Sequence, residues 1–269
     1  MKIISDKDKL KKLLQDEKKL GFVPTMGAIH EAHISLIKRA GNLCNKTIVS
    51  IFINKFQFNK KIDYQKYPRI LKRDIALLKK HKVDYLYLPN VKQIYPSGPN
   101  KKIIINPFAK QLCGKFRPGH FNAVVDVIDR FIKIIRPSNI FLGKKDMQQL
   151  IIIEEFLYRN KIKTKVIECK TVREKKGLAC SSRNFLLSSK EKIIASKIYK
   201  LLLSKKGKLI INRKMLKMIK NTILDLGANK IDYLKILNIN KLKRPYKKNK
   251  KYKIFIAYYL GSVRLIDNI

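Results

Sequence analysis

Short apolar, β-branched runs alternate with amphipathic stretches over residues 1–175, and that alternation constrains the fold more than any single motif does. The strand candidates are GFVPT (21–25), TIVSIFIN (47–54), VDYLYLP (83–89), KIIIN (102–106), NIFLG (139–143) and KTKVIEC (163–169). Between them, apolar residues recur at helical spacing near 33–41, 68–81, 120–136 and 148–159. Continuous apolar strands need cover on both faces, which intervening helices supply, so the pattern predicts an α/β fold with a parallel sheet. Right-handed crossovers then make it a doubly wound, Rossmann-like sheet. The N-terminal MKIISDKDKLKKLLQDEKK reads as an amphipathic charged helix. After about residue 175 the pattern changes to helical stretches at 189–204 and 212–226. Strand-like IDYLKILNI (231–239) and KIFIAYYLG (253–261) follow, joined by the basic connection NKLKRPYKKNKK (240–251). The expected organisation is a Rossmann-like domain over 1–175 and a smaller α+β domain over 176–269.

Composition excludes several classes. Apolar residues make up 45% of the chain, enough for a core and against disorder. The four cysteines form no CxxC or Cys/His cluster, which argues against a zinc site or a disulfide frame. No apolar run reaches the ~18 residues of a membrane span. The N-terminus lacks the apolar core of a secretory signal. A cytoplasmic protein with no membrane partner is the expectation.

The net charge is +43, from 62 Lys+Arg against 19 Asp+Glu, but only 12 of the basic residues are arginine. The lysines are scattered along the chain rather than patterned, as a compositional bias would leave them. Sequence-specific DNA readers lean on arginine, and an RNA-binding module needs aromatic or arginine platforms on one face. The tyrosines here lie mostly in strand-like apolar runs, so no nucleic-acid partner is expected. The excess charge still favours polyanionic small molecules such as nucleotides.

The chemistry-bearing motifs fall at strand ends. GFVPTMGAIHEAH (21–33) reads as a buried strand that breaks at Pro24 and restarts as a helix, with His30 and His33 on one helix face. In a doubly wound sheet, ligands bind outside the carboxyl ends of the strands. A helix N-terminus offers free N–H groups to phosphate, and the two imidazoles can donate further hydrogen bonds to it. IFLGKKDMQQL ends another strand with Gly143, Lys144, Lys145 and Asp146, then Gln148 and Gln149. SIFINKFQFN (50–59) brings Asn54 and Gln57. FRPGHFNAVV places Arg117 and His120 in a Pro-Gly turn, and TVREKKGLACSSRNFLLS (171–188) places Arg173, Ser181, Ser182 and Arg183 near the domain seam.

Taken in order, GFVPTMGAIHEAH, FRPGHFNAVV, GKKDMQQL, SSRNFLLS and VRLIDN resemble the pantothenate synthetase (pantoate–β-alanine ligase) family, within the HxGH nucleotidyltransferase superfamily. The resemblance implies ATP-dependent condensation of (R)-pantoate with β-alanine to pantothenate, AMP and pyrophosphate through a pantoyl adenylate. It implies that Met26, Gly27, Ala28, Ile29, His30, Glu31, Ala32 and His33 line the ATP site. In that reading His33 is the general acid or phosphate stabiliser, and His30 and Lys145 face the phosphates. Gly143, Lys144, Lys145 and Asp146 would bind ATP, with Asp146 on the ribose side. Val172 would contact adenine through its backbone, and Cys180, Ser181, Ser182 and Arg183 would cover the triphosphate. Gln57 and Gln149 would hold pantoate, with Gln57 also bordering β-alanine. Mg²⁺ would travel with ATP, no protein ligand being assigned, and the resemblance implies a homodimer. The residues themselves leave open another nucleotidyltransferase of the same fold, such as a mononucleotide adenylyltransferase. Three positions depart from the family pattern: Ala32 replaces a glycine, Lys55 a proline and Lys144 an acidic residue.

Overall fold

Six strands form one parallel sheet in the order β1-β4-β3-β2-β5-β6: β1 (Lys2–Ile4), β2 (Leu20–Thr25), β3 (Lys46–Ile51), β4 (Tyr85–Tyr87), β5 (Asn139–Gly143) and β6 (Lys165–Cys169). The computed structural model describes residues 1–212, 214–246 and 248–269. Positions 213 and 247, inside the predicted helical stretch 212–226 and the predicted basic connection 240–251, lie outside the described residues.

Successive side chains of a strand point to opposite faces, and here both faces are apolar. Phe22, Ile48, Tyr85, Tyr87, Ile140 and Leu142 pack on one side with the helices His120–Ile135 and Met147–Arg159. Val23, Val49, Leu86 and Phe141 pack on the other with Ile34, Ile37 and Leu78 of the helices Glu31–Leu43 and Leu71–Lys80. This two-sided burial is why the strands read as continuous apolar runs.

The strand order reverses between β2 and β5, and the two strands separate there. Their register covers only Gly21↔Asn139 and Phe22↔Ile140, whereas β2 stays paired with β3 through Thr25↔Ile51. Pro24 helps to explain the split. The Thr25 carbonyl accepts from Phe52 on the β3 side, and the Leu20 carbonyl accepts from Ser138 on the β5 side. By alternation, the missing N–H of Pro24 falls toward β5. The strand therefore does not break at Pro24 as its sequence suggests; it continues to Thr25 and loses only its β5 ladder. The resulting crevice is the topological switch point, where ligands of such sheets bind.

Two other expectations are corrected. KIIIN (102–106) is not a strand: Ile103 and Ile105 pack against the core while Ile104 is exposed, and the sheet edge beside β4 is occupied by β1. β1 itself lies in the segment read as wholly helical, whose helix is confined to Lys7–Leu14 behind an Asp6 cap.

Residues 230–268 form an antiparallel sheet of β7 (Lys230–Asn238), β8 (Tyr252–Leu260) and β9 (Val263–Asn268). One face carries Leu234, Ile236, Ile254, Ile256 and Leu265 against the helices Ser189–Ile211 and Met215–Asp225. The other face sends Tyr233, Phe255 and Ala257 into the core of the parallel sheet's first side. The small sheet is thereby seated over the carboxyl ends of β2 and β5. Among the described residues no helix is long and apolar enough to cross a membrane.

Candidate active site

A cavity of about 270 Å³ opens at the β2/β5 split, and the small sheet roofs it. Its walls bring together residues far apart in the chain: Met26, His30, Ala32 and His33 after β2; Gln57; Gly143, Lys145, Asp146 and Gln149 after β5; and Val172, Cys180, Ser181, Ser182 and Arg183. The remaining predicted positions lie behind the wall or turn away. Gly27, Ala28 and Ile29 are buried in the turn, and Glu31 is exposed.

The turn after β2 is held by a carboxylate that sequence reasoning did not single out. Gly27 and Ala28 both adopt left-handed conformations, φ +80° and +50°. For Ala28 that geometry is unfavourable. Asp74 compensates by accepting from the Ala28 N–H and the Ile29 N–H, both at 2.8 Å. Burial pushes the Asp74 carboxyl up, and those two N–H donors act against the shift. Thr25 Oγ1 completes the turn, donating to the Ser50 carbonyl at 2.7 Å and accepting from the Gly27 N–H at 3.1 Å. A signal for Asp74 was present: a charged residue four positions before Leu78 sits on the buried stripe of its helix.

The turn delivers His30 as N-cap of the helix Glu31–Leu43, with its ring stacked on His33 at 4.0 Å. Among the described residues neither Nδ1 has a hydrogen-bond partner. Burial, and after it the Lys145 ammonium, hold His30 down at about 4. Burial, then His30 and Lys145, hold His33 well below the usual histidine range. Both imidazoles are neutral at pH 7, with donor and acceptor capacity that the protein does not use. A second buried histidine environment shows the same direction: His120 is lowered by burial and by Arg117.

These shifts set a pH dependence. A histidine with a depressed folded pKa gives stability that is present above the unfolded value near 6.5 and lost as pH falls toward the folded value. For His30, the drop from 6.5 to about 4 corresponds to roughly 3 kcal/mol. The ligand-free protein should lose thermal stability between about pH 6.5 and 4, with proton uptake on unfolding, and His30→Asn should flatten that slope in calorimetric scans.

Gln57 is positioned from its backbone. Its carbonyl accepts from His120 Nδ1 at 2.8 Å and Arg117 Nη2 at 3.0 Å, so His120 Nε2 is the acceptor for Arg117 Nη1 at 3.0 Å. The Gln57 amide then points at Met26 Sδ, 2.8 Å away. The loop before it carries Lys55 and is capped by Asn54, which accepts from Phe56 N–H and donates to the Ala123 carbonyl. The adjacent glutamines divide their work. Gln148 is buried, donating to the Phe108 and Gln111 carbonyls and accepting from Cys113 N–H, whereas Gln149 faces the cavity.

That Phe108–Cys113 loop leaves no room at Gly114, where an added Cβ would overlap the Ala109 carbonyl. Gly114→Ala should force two backbones apart and cost about 3 kcal/mol or more, readable as a shifted denaturation midpoint.

Lys144 and Lys145 diverge. Lys144 pairs with Glu168 of β6 at 2.9 Å, outside the cavity wall. Lys145 faces the cavity, 3.7 Å from Asp146. From the small sheet, Tyr233 meets Cys113 Sγ at 3.0 Å, Arg264 pairs with Asp232 at 2.7 Å, and Asp267 holds both terminal nitrogens of Arg173. Tyr233, Arg264 and Asn268 also line the cavity and were not among the predicted site residues.

A parallel α/β sheet with a clamped turn, paired imidazoles and a lysine at its switch point, roofed by a second sheet, defines a nucleotide-dependent transferase or ligase. The comparisons narrow the class. A family model described as pantoate-beta-alanine ligase matches residues 2–269. The pantothenate synthetase of Pseudothermotoga lettingae is 38% identical over 275 residues, covering 100% of this chain and 98% of that one. The crystal structure of pantothenate synthetase from Thermus thermophilus superposes with a TM-score of 0.90 at 32% identity, covering 100% of this chain and 99% of that one. Pantoate-beta-alanine ligase from Francisella tularensis, complexed with beta-gamma ATP and beta-alanine, matches with a TM-score of 0.83 at 38% identity, covering 100% and 97%. The chain belongs to the pantoate-beta-alanine ligase family.

Proposed function

We propose that the chain joins pantoate to β-alanine at the expense of ATP, producing pantothenate by way of a pantoyl adenylate. The observation that carries this reading is the cavity at the β2/β5 split, where phosphate donors and two amide side chains face one space. In the first step a pantoate carboxylate oxygen bonds to the α-phosphorus and the bond to the β-phosphate oxygen breaks, releasing pyrophosphate. In the second the β-alanine nitrogen bonds to the acyl carbon, the acyl–oxygen bond breaks, AMP leaves and the amine gives up a proton.

Both displacements depend on alignment and charge neutralisation rather than on a covalent nucleophile. ATP enters with its Mg²⁺. The polyphosphate would lie against the turn 26–33 and Lys145, with the ribose toward Asp146 and adenine against the Val172 backbone. Ser181, Ser182 and Arg183 would close over it. Phosphate charge beside the two imidazoles favours their protonated form, so His33 can gain a proton as ATP binds and return it to the departing pyrophosphate. Gln57 and Gln149 would hold pantoate through its hydroxyl and carboxylate, with β-alanine next to Gln57. Residues 1–175 serve as the nucleotide and pantoate unit and 176–269 as the lid. Excluding water protects the labile acyl phosphate.

The test is an isotope experiment. With ¹⁸O in the pantoate carboxylate, AMP should carry one labelled oxygen, and turnover should need pantoate, β-alanine and ATP together. Label in pyrophosphate, or AMP release without pantoate, contradicts the reading and favours another nucleotidyl transfer.

A further inference from the structure

Asn268 on β9 is 3% exposed, and its Nδ2 donates to two successive carbonyls, those of Lys144 at 2.8 Å and Lys145 at 2.7 Å. These carbonyls belong to the short turn Lys144–Asp146 between β5 and the helix Met147–Arg159. The small sheet thus grips the cavity-side turn of the parallel sheet through one side-chain amide. The next residue back, Asp267, grips the opposite loop through Arg173 at 2.6 and 2.9 Å. β9 therefore ties together the two segments that flank the cavity.

Among the described residues the Asn268 Oδ1 is buried with no hydrogen-bond partner, and an apolar side chain would leave the Lys144 and Lys145 carbonyls without the Nδ2 donor. What the two bonds do is fix the backbone on both sides of the Lys145 Cα. The side chains from this turn then separate: Lys144 is drawn off to Glu168, and among the described residues Lys145 is left with a 3.7 Å contact to Asp146 on the cavity wall. Its ammonium retains donors for a ligand.

We propose that Asn268 is a positioning residue for Lys145, fixing the turn so that the ammonium faces the phosphate site beside His30 and His33. The proposal rests on the reading of Lys145 as a phosphate ligand. It makes adenylate formation sensitive to a side chain of the roof.

A double-mutant cycle on pantoate-dependent pyrophosphate release tests it, using Asn268→Asp, Lys145→Met and the pair. Asn268→Asp keeps the shape but sets an acceptor against two carbonyls. Misplacing a catalytic group by an ångström costs about 10²-fold, so the single-variant kcat should fall ~10- to 10²-fold, with KM for ATP changing much less. Combined with Lys145→Met it should add nothing further. Losses that multiply in the pair, or an unchanged kcat in Asn268→Asp, overturn the positioning role. Should Asn268→Asp not fold, Asn268→Ala is read by the same cycle. Absence of turnover in the unaltered enzyme overturns the ligase reading, and this inference with it, and is distinguishable from either variant result.

Discussion

His33→Ala should lower pantoate-dependent pyrophosphate release ~10²-fold or more while leaving thermal stability unchanged or slightly raised. The first effect is the scale on which losing one preorganised donor to developing phosphate charge slows a reaction. The second follows from burial: His33 is held neutral, and its Nδ1 has no partner among the described residues. Removing a buried unpaired polar atom relieves a penalty of about 1–3 kcal/mol, against which stands the loss of packing around the ring. Steady-state kinetics and a thermal scan on one preparation check both parts. Full activity in the variant removes His33 from the mechanism; a large loss of stability makes it a structural residue.

Asp74→Ala should give the opposite signature, with stability and activity falling together. The carboxylate accepts two buried N–H groups at 2.8 Å from a turn that carries consecutive left-handed residues. Hydrogen bonds to a charged acceptor contribute about 1.5–3 kcal/mol each, and both donors would be left buried and unpaired. A loss of about 3–6 kcal/mol follows, on the order of 5–11 °C in Tm for a chain of this size. Asp74→Asn should recover little, because its NH₂ would face one of the same N–H donors. Asp74 does not line the cavity, so its effect on turnover passes through the placement of Met26, His30 and His33. A normal Tm in Asp74→Ala would show that the turn holds its shape without the carboxylate.

Local patterns made the parallel sheet and its switch-point turn legible. Val23, Val49 and Phe141 lie on one face and Phe22, Ile48 and Ile140 on the other, and that two-sided burial leaves a continuous apolar signal in sequence. β1 was not legible because three residues beside a charged helix carry almost no periodicity. KIIIN misled because alternation signals an extended segment with one buried side, not the presence of a neighbouring strand. Pro24 misled because proline's effect depends on which side its absent N–H faces, and that is fixed only by register. The same limit applies to the site. His30, His33, Gln57, Lys145 and Arg183 stand in short motifs at strand or loop ends, where chemistry can be read. Asp74 and Asn268 act from 45 to 124 residues away in sequence, and their partners are backbone atoms, which no side-chain motif records. Nor does spacing show that the stem of Lys144 turns toward Glu168 while that of Lys145 stays on the cavity wall.

A crystal structure with a non-hydrolysable ATP analogue, Mg²⁺ and pantoate checks this placement of the reacting groups directly. The polyphosphate should lie against residues 26–33 within hydrogen-bond reach of His30, His33 and Lys145, with the pantoate carboxylate between Gln57 and Gln149 and in line with the α-phosphorus. A nucleotide seated elsewhere, with both imidazoles remote from phosphate, would contradict it.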